Sequence, residues 1–401
     1  MKITCLSVCL AGMMLLSGCS KKNNDQPEPA GGPYTLDKFC MGADLSYVNQ
    51  IEDKGGVYRD SSQLQDPFTI FRKHGCNLVR VRLWYNPQWT RDVYGTSGKQ
   101  MYSDLADAAE TIRRAKEAGM GVCLDFHYSD TWADAGSQPV PAAWQNIGSL
   151  DVLSDSVFNY TYRVLAWLDS KGVMPEMVQI GNEINCGMLY TEALQGFPNL
   201  NACNGMWVSL GSVINSAISA VREVSVSSAI KPKVILHVAD PKNVNWWFDN
   251  IQSQGKVTDY DIIGISYYPL WHTEVAYENL QAVISLMVDR YKKQVMIVET
   301  AYPWTLGSDD NYTNLFGSQA PLAGFPFTPE GQHAFMKSLT QKVISAGGSG
   351  IIVWEPGWIT SGLVTQYGTG SAWENSTFFD FNGNALEAIN FMTDAYQFPQ
   401  P

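Results

Sequence analysis

Basic residues, long apolar runs and phosphate-binding glycine loops are all scarce in this chain. Lys and Arg number 27 against 39 Asp and Glu, a formal net charge of −12 over 401 residues. Nucleic acid and anionic surfaces are poor partners for such a surface. Past residue 19 no stretch approaches the roughly 18 apolar residues that a bilayer-spanning helix needs. Gly-x-Ser-x-Gly and Gly-x4-Gly-Lys patterns are absent, which removes the usual support for serine-hydrolase and nucleotide chemistry. With five His, no His-Glu-x-x-His and no zinc-type cysteine spacing, a catalytic metal has no sequence signature either. Aromatics, by contrast, are plentiful, with 13 Trp and 19 Tyr. Most are expected in the core; the remainder suit stacking on the rings of a neutral substrate such as a sugar.

The N-terminus reads as a targeting segment. Lys2 supplies positive charge and "CLSVCLAGMMLL" an apolar stretch of signal-peptide length. "LSGC" ending at Cys19 resembles a bacterial lipobox, so residues 1–18 are expected to be removed and Cys19 lipidated. Residues 19–36, polar and rich in Pro and Gly, read as a flexible tether. That leaves one folded domain, residues 37–401, on the bacterial cell envelope, with the outer membrane and cell surface as the expected place and a lipid as its sole membrane contact. An ordinary secretory signal is the alternative. Five cysteines follow Cys19, an odd number that argues against a disulfide framework. Cys40 and Cys123 lie in strand-like runs and are expected as buried thiols, while Cys186 and Cys203 flank one loop and are placed to pair.

From Asp37 onward eight short apolar runs recur: "CMGADLSYV", "NLVRVRLW", "GVCLDFHY", "MVQIGNE", "KVILHVAD", "DIIGISYYP", "QVMIVET" and "GIIVWEP". Helical patterns separate them. In "SDLADAAETIRRAKEAG", Ser103 is the expected cap, Leu105, Ala108, Ala109, Ile112 and Ala115 form the apolar stripe, and Gly119 ends it. Buried strands alternating with amphipathic helices imply parallel βαβ units, and eight of them match an α/β fold of the (β/α)8 TIM-barrel type. A doubly wound sheet is the rival, but "GADLSYVNQ" is not the phosphate turn it usually carries.

In a barrel the strands open to solvent at their C-terminal ends, where active sites form. Glu183, in "VQIGNEIN", closes the fourth run, and Glu299, in "VMIVET", the seventh. Two carboxyls facing one cleft are the minimal equipment of a glycoside hydrolase: a protonated one donates to the leaving oxygen and an ionised one attacks the anomeric carbon. Glu183 is assigned as acid/base and Glu299 as nucleophile. Asn182 is placed to bond a sugar hydroxyl, Arg80 (with Arg82 two residues on) to keep Glu299 ionised, and Tyr267 or Tyr268 to orient it. Trp354 offers a platform for a pyranose ring. His127 and His237 end strands too, as binders of sugar hydroxyls, as groups that set the protonation of Glu183, or as ordinary core histidines. Trp84, Trp132, Trp246, Trp247, Trp304, Trp358 and Trp373 are further candidate platforms. No catalytic metal or other cofactor is required; Asp309, Asp310 and Asn311 offer oxygens for a structural Ca²⁺, with a solvated loop as the alternative.

Together, "GADLSYV", "NLVRVRLWYNP", "GVCLDFHYSDTWADAGSQPVPAAW", "IGNEIN", "GISYYP", "IVETAYPW" and "WEPGW" resemble glycoside hydrolase family 53, the arabinogalactan endo-β-1,4-galactanases, over nearly the whole chain after the tether. The resemblance implies a (β/α)8 barrel, a retaining mechanism and endo-cleavage of the β-1,4-galactan side chains of pectic rhamnogalacturonan I. A monomer is expected. It places the acid/base on Glu183 and the nucleophile on Glu299, and favours Arg80, Asn182 and Trp354 near the site. Some bacterial relatives carry calcium after strand seven through an Asp/His/Asn spacing; "LGSDDNYTN" lacks the His, so that site is not carried over. The alternatives are another retaining β-glycanase, of mannanase or cellulase type, and a non-catalytic glycan-binding surface lipoprotein.

Overall fold

The computed structural model describes residues 38–191 and 194–399. The signal peptide, the tether and Cys19 lie outside the described residues. Among the described residues no helix is long and apolar enough to cross a membrane.

Eight parallel strands close into a barrel: β1 Cys40–Asp44, β2 Leu78–Leu83, β3 Gly121–Phe126, β4 Met177–Ile180, β5 Lys233–Ala239, β6 Ile262–Ser266, β7 Gln294–Glu299 and β8 Gly350–Val353, with β8 returning to β1. Each coincides with one of the eight apolar runs. Every strand residue but Lys233 and Gln294, each first in its strand, is buried, as expected for strands packed on both sides. Helices on the outside, Leu105–Glu117, Leu150–Ser170, Trp207–Ser227, Pro241–Ser253, Leu280–Tyr291 and Pro329–Ser345 among them, cover the sheet.

The first of these helices is capped one residue later than expected. Asp104 is its N-cap and accepts from the Asp107 amide, while Ser103 sits at φ 55° and gives its own amide to the Asp107 carboxylate. The two side chains thus satisfy the first turn between them. Cys186 and Cys203 form a disulfide, and Cys40, Cys76 and Cys123 are buried thiols.

The barrel interior is layered. An apolar floor of Cys40, Leu78, Cys123, Met177, Ile235, Ile262, Met296, Val298 and Ile352 fills its lower part. Space there is tight: a Cβ on Gly264 would lie 2.8 Å from Ile235 Cγ2. Two residues further along β2 to β5 the inward positions turn polar, with Arg80, Asp125, Gln179 and His237 all buried, and buried Asp44 joins them from the end of β1. Between β6 and β7 the register slips. Ile265 pairs with Ile297, but Ser266 pairs with Glu299, so Val298 is a surplus residue. Val298 belongs to the interior floor, and Glu299, immediately after it, still reaches the interior Arg80. Plain alternation would have turned Glu299 outward; the bulge turns it in.

Candidate active site

Arg80 is the hub of the polar layer. Its Nη1 donates to Asp44 Oδ2 at 2.9 Å, Nη2 to Asp125 Oδ2 and Asn182 Oδ1 at 2.8 Å each, and Nε to Gln179 Oε1 at 3.2 Å. Nη1 also stands 2.8 Å from Glu299 Oε1, off the axis of an N–H bond, as a charge contact. Burial opposes the guanidinium charge, yet Asp125, Glu299 and Asp44 together hold its proton more firmly than usual. A fork with five donors suits such a position; an ammonium would not reach all these partners.

Glu299 ends β7, buried at 5% exposure. Tyr268, just past β6, donates its hydroxyl to Glu299 Oε2 at 3.1 Å. Tyr267 gives Glu299 a different contact, from its amide to the backbone carbonyl at 2.9 Å, and its own ring is buried. Of the two tyrosines, Tyr268 orients the carboxylate.

Glu183 lies three residues past β4, at the end of a tight turn in which Gly181 has φ 73° and Glu183 itself φ 46°. A non-glycine residue held in the left-handed region is strained and costs about 1 kcal/mol or more. Here it directs the side chain into the cleft. Oε1 contacts Ser266 Oγ at 2.5 Å, and Oε2 accepts from the Ala135 amide at 3.2 Å. Ser266 Oγ also lies 3.5 Å from Glu299 Oε2. The nearest oxygens of the two carboxyls are therefore no more than about 6 Å apart, short of the roughly 6.5–9.5 Å that leaves room for a water between them.

Burial pushes Glu299 up to about 8; Arg80 opposes the rise and the charge of Glu183 adds to it. Burial raises Glu183 as well, against the hydrogen bonds from Ser266 and Ala135. Two carboxyls so placed keep one proton between them near neutrality. Arg80 and Tyr268 both support the ionised form of Glu299, so the charge rests there and the proton on Glu183.

Aromatic rings wall the cleft, which holds about 520 Å³. Trp132 and Trp354 stand 6.0 Å apart, and Trp358 and Trp373 continue the wall. Trp271 stacks on Phe316 at 4.2 Å beside Tyr268, and Tyr312 and Tyr367 also line the cleft. Trp271, Tyr312, Tyr367 and Ser266 were not singled out in the sequence; the first three are brought here by the paths of their loops, and Ser266 by its place at the end of β6.

Several expected platforms are elsewhere. Trp84 is fully buried behind Trp132, its Nε1 directed at His127 Nδ1. Trp247 is fully buried and bonds the Ile184 carbonyl; Trp246 is exposed on the outer helix against Trp207; Trp304 packs on Phe381. His127 reaches the cleft wall, but Nε2 is committed to Asp125 and Nδ1 accepts from Trp84 and the Ala133 amide, so neither nitrogen is free for a hydroxyl. His237 has no exposed surface and cannot touch a sugar. Asn182 directs Nδ2 to the Ala133 carbonyl at 2.8 Å, with its second N–H uncommitted. In the loop after β7, Asp310 binds the amides of Tyr312 and Ser371 and the Thr360 hydroxyl, and among the described residues no three metal-ligating side chains converge.

An eight-stranded α/β barrel whose mouth holds two close, buried carboxyls among indole walls defines the chain as a barrel glycoside hydrolase. Residues 40–392 match the model of glycosyl hydrolase family 53, and the chain belongs to that family. It is 44% identical over 363 residues to an arabinogalactan endo-β-1,4-galactanase of Cellvibrio japonicus (strain Ueda107), covering 90% of this chain and 92% of that one. With an endo-β-1,4-galactanase of Bacillus subtilis (strain 168) it shares 32% identity, covering 88% and 84%. Among solved structures it is similar to the Ignisphaera aggregans GH53 catalytic domain, at a TM-score of 0.78 and 32% identity, covering 92% of this chain and 99% of that one.

Proposed function

We propose that the protein is a retaining endo-β-1,4-galactanase acting on the galactan side chains of pectic rhamnogalacturonan I. Glu299 attacks the anomeric carbon while Glu183 protonates the departing O4. A water then displaces the glycosyl ester with Glu183 as base, which restores both groups. Asn182 steadies the hydroxyl next to the reacting carbon, and Arg80 and Tyr268 hold Glu299 ionised and aimed.

The observation that carries the mechanism is the Ser266 hydroxyl lying within 2.5 Å of one carboxyl and 3.5 Å of the other, a span suited to double displacement. The substrate reading is supported by the names of the two bacterial relatives. Proton NMR of the first product released from galactan tests both: the β-anomer should appear first, with little turnover of mannan or cellulose. Initial release of the α-anomer would refute double displacement, and equal rates on mannan would refute the substrate.

Residues 37–401 form the catalytic domain in this reading, active as a monomer, and "LSGC" supports lipid attachment at Cys19 on the cell envelope. Cys19→Ala should release the protein from membranes; retention would rule out anchoring there.

A further inference from the structure

The indole wall of the cleft rests on the second arginine of β2. Arg82 is buried, and its guanidinium stands 4.2 Å from the centre of the Trp132 ring, 4.6 Å from Trp84 and 4.5 Å from Tyr47. Unlike Arg80 it makes few bonds. Nη1 donates to Glu355 Oε1 at 3.2 Å and Nη2 to Ser103 Oγ at 3.4 Å, while Nε has no hydrogen-bond partner among the described residues. Glu355 is fully buried and follows Trp354 just past the end of β8. Its backbone is held at φ 45°, and its carbonyl accepts from the Trp358 amide at 3.1 Å. The Tyr47 amide faces the Glu355 carboxylate, whose Oε2 has no hydrogen-bond partner among the described residues. Tyr47 in turn packs on Trp358 at 4.6 Å and meets Trp132 edge-on at 5.9 Å.

A pair built this way adds little to stability. Two charges leave water for one long contact, and apolar side chains of like volume would serve the fold as well or better. A non-glycine residue in left-handed backbone adds strain, which gathers at working sites. The pair instead ties three rings of the wall together. Arg82 lies against Trp132, which comes from the loop after β3; Glu355 is joined to Trp354 through the chain and to Trp358 through its carbonyl. We propose that Arg82 and Glu355 are positioning residues that set the spacing of Trp132 from Trp354 and Trp358, and with it the fit of the wall to successive sugar rings. This rests on the cleft being the galactan site. A planar cation suits the task, since its faces go to the rings and its edge to the carboxylate. Spacing matters because a gap of roughly 0.5–1 Å forfeits a quarter to a half of each ring contact.

Removing one partner alone would leave the other charge buried and unpaired, so two variants keep the charges balanced. Arg82→Met together with Glu355→Gln retains both side-chain lengths and neither charge. Arg82→Lys retains the ion pair and loses the planar stack. On galactan each should raise KM about fivefold while kcat stays within about twofold, the pattern of lost substrate binding with the chemistry intact. Wild-type KM in both, with only the urea midpoint lowered, would make the pair purely structural and overturn the proposal; so would a fall in kcat at unchanged KM. Proton NOEs between the Trp132 and Trp354 rings report their spacing with no substrate present. They should weaken in both variants, and unchanged NOEs overturn the proposal. If the wild-type enzyme leaves galactan uncut while the NOEs weaken as expected, the galactan reading fails and the positioning of the wall stands.

Discussion

Replacing Arg80 by Lys keeps the charge at the centre of the barrel and removes the fork. The guanidinium donates to Asp44, Asp125, Asn182 and Gln179 and stands against Glu299. An ammonium on a shorter reach has three hydrogens and satisfies two or three of these partners. Losing two bonds to buried charged groups costs about 1.5–3 kcal/mol each, hence about 3–6 kcal/mol in all. Set against a typical stability of about 5–15 kcal/mol, the variant should fold, with a clearly lower urea midpoint and an unchanged slope. Catalysis should change in a defined direction. Arg80 lowers the pKa of Glu299 against the effect of burial. With that influence weakened the pKa climbs, and the attacking group must be ionised, so the acid limb of the pH–rate profile should move up by about one unit. Two assays decide: urea unfolding at neutral pH, and kcat/KM on galactan across the acid range. A wild-type midpoint together with an unmoved acid limb would refute the role given to the Arg80 hub.

Other expectations follow from the same geometry. Burial raises both carboxyls, Glu299 up to about 8, above the 4.5 usual for a glutamate, so the pair keeps a proton that the unfolded chain has lost, and stability falls as pH rises between those values. Glu299→Gln should therefore be inactive, more stable than wild type near pH 8, and flatter in its stability–pH curve, as urea titrations at pH 5 and pH 8 would reveal; a steeper curve would contradict the assignment. Breaking the Cys186–Cys203 link by Cys186→Ser and Cys203→Ser together should lower stability by about 3 kcal/mol for a loop of this length, read by thermal unfolding. Trp354→Ala should raise KM on galactan at least tenfold, whereas Trp84→Phe, a change behind the wall, should leave KM within about twofold and show instead as a stability loss.

The barrel was legible because its strands are short, apolar and separated by amphipathic helices, a periodic signal spread over the whole chain. That Glu183 and Glu299 reach one cleft was legible because each follows an apolar run that ends at the mouth of the barrel. Depth was not. Trp84 and Trp132 read alike in sequence, yet one lies behind the other, since the loops that set their order carry no periodicity. Nor did "SYY" say which of its hydroxyls meets Glu299, or that Ser266 touches both carboxyls. Ser103 and Asp104 are both good caps, and the choice fell on Asp104 because Ser103 adopts a left-handed backbone. The pairing of Cys186 with Cys203 leaves three thiols buried as apolar packing, in keeping with an odd count that argued against a framework of several disulfides.

The surplus residue in β7 gives residue count, as distinct from residue identity, a role in the chemistry. Val298 could be exchanged for Ile or Leu with modest repacking, but its deletion would rotate the strand's end by half a turn and point Glu299 at the helices with every catalytic group still encoded. Chimeras spliced through this segment should accordingly be aligned on the slip between Ile265 and Ser266, not on the Glu-Thr pair that follows it.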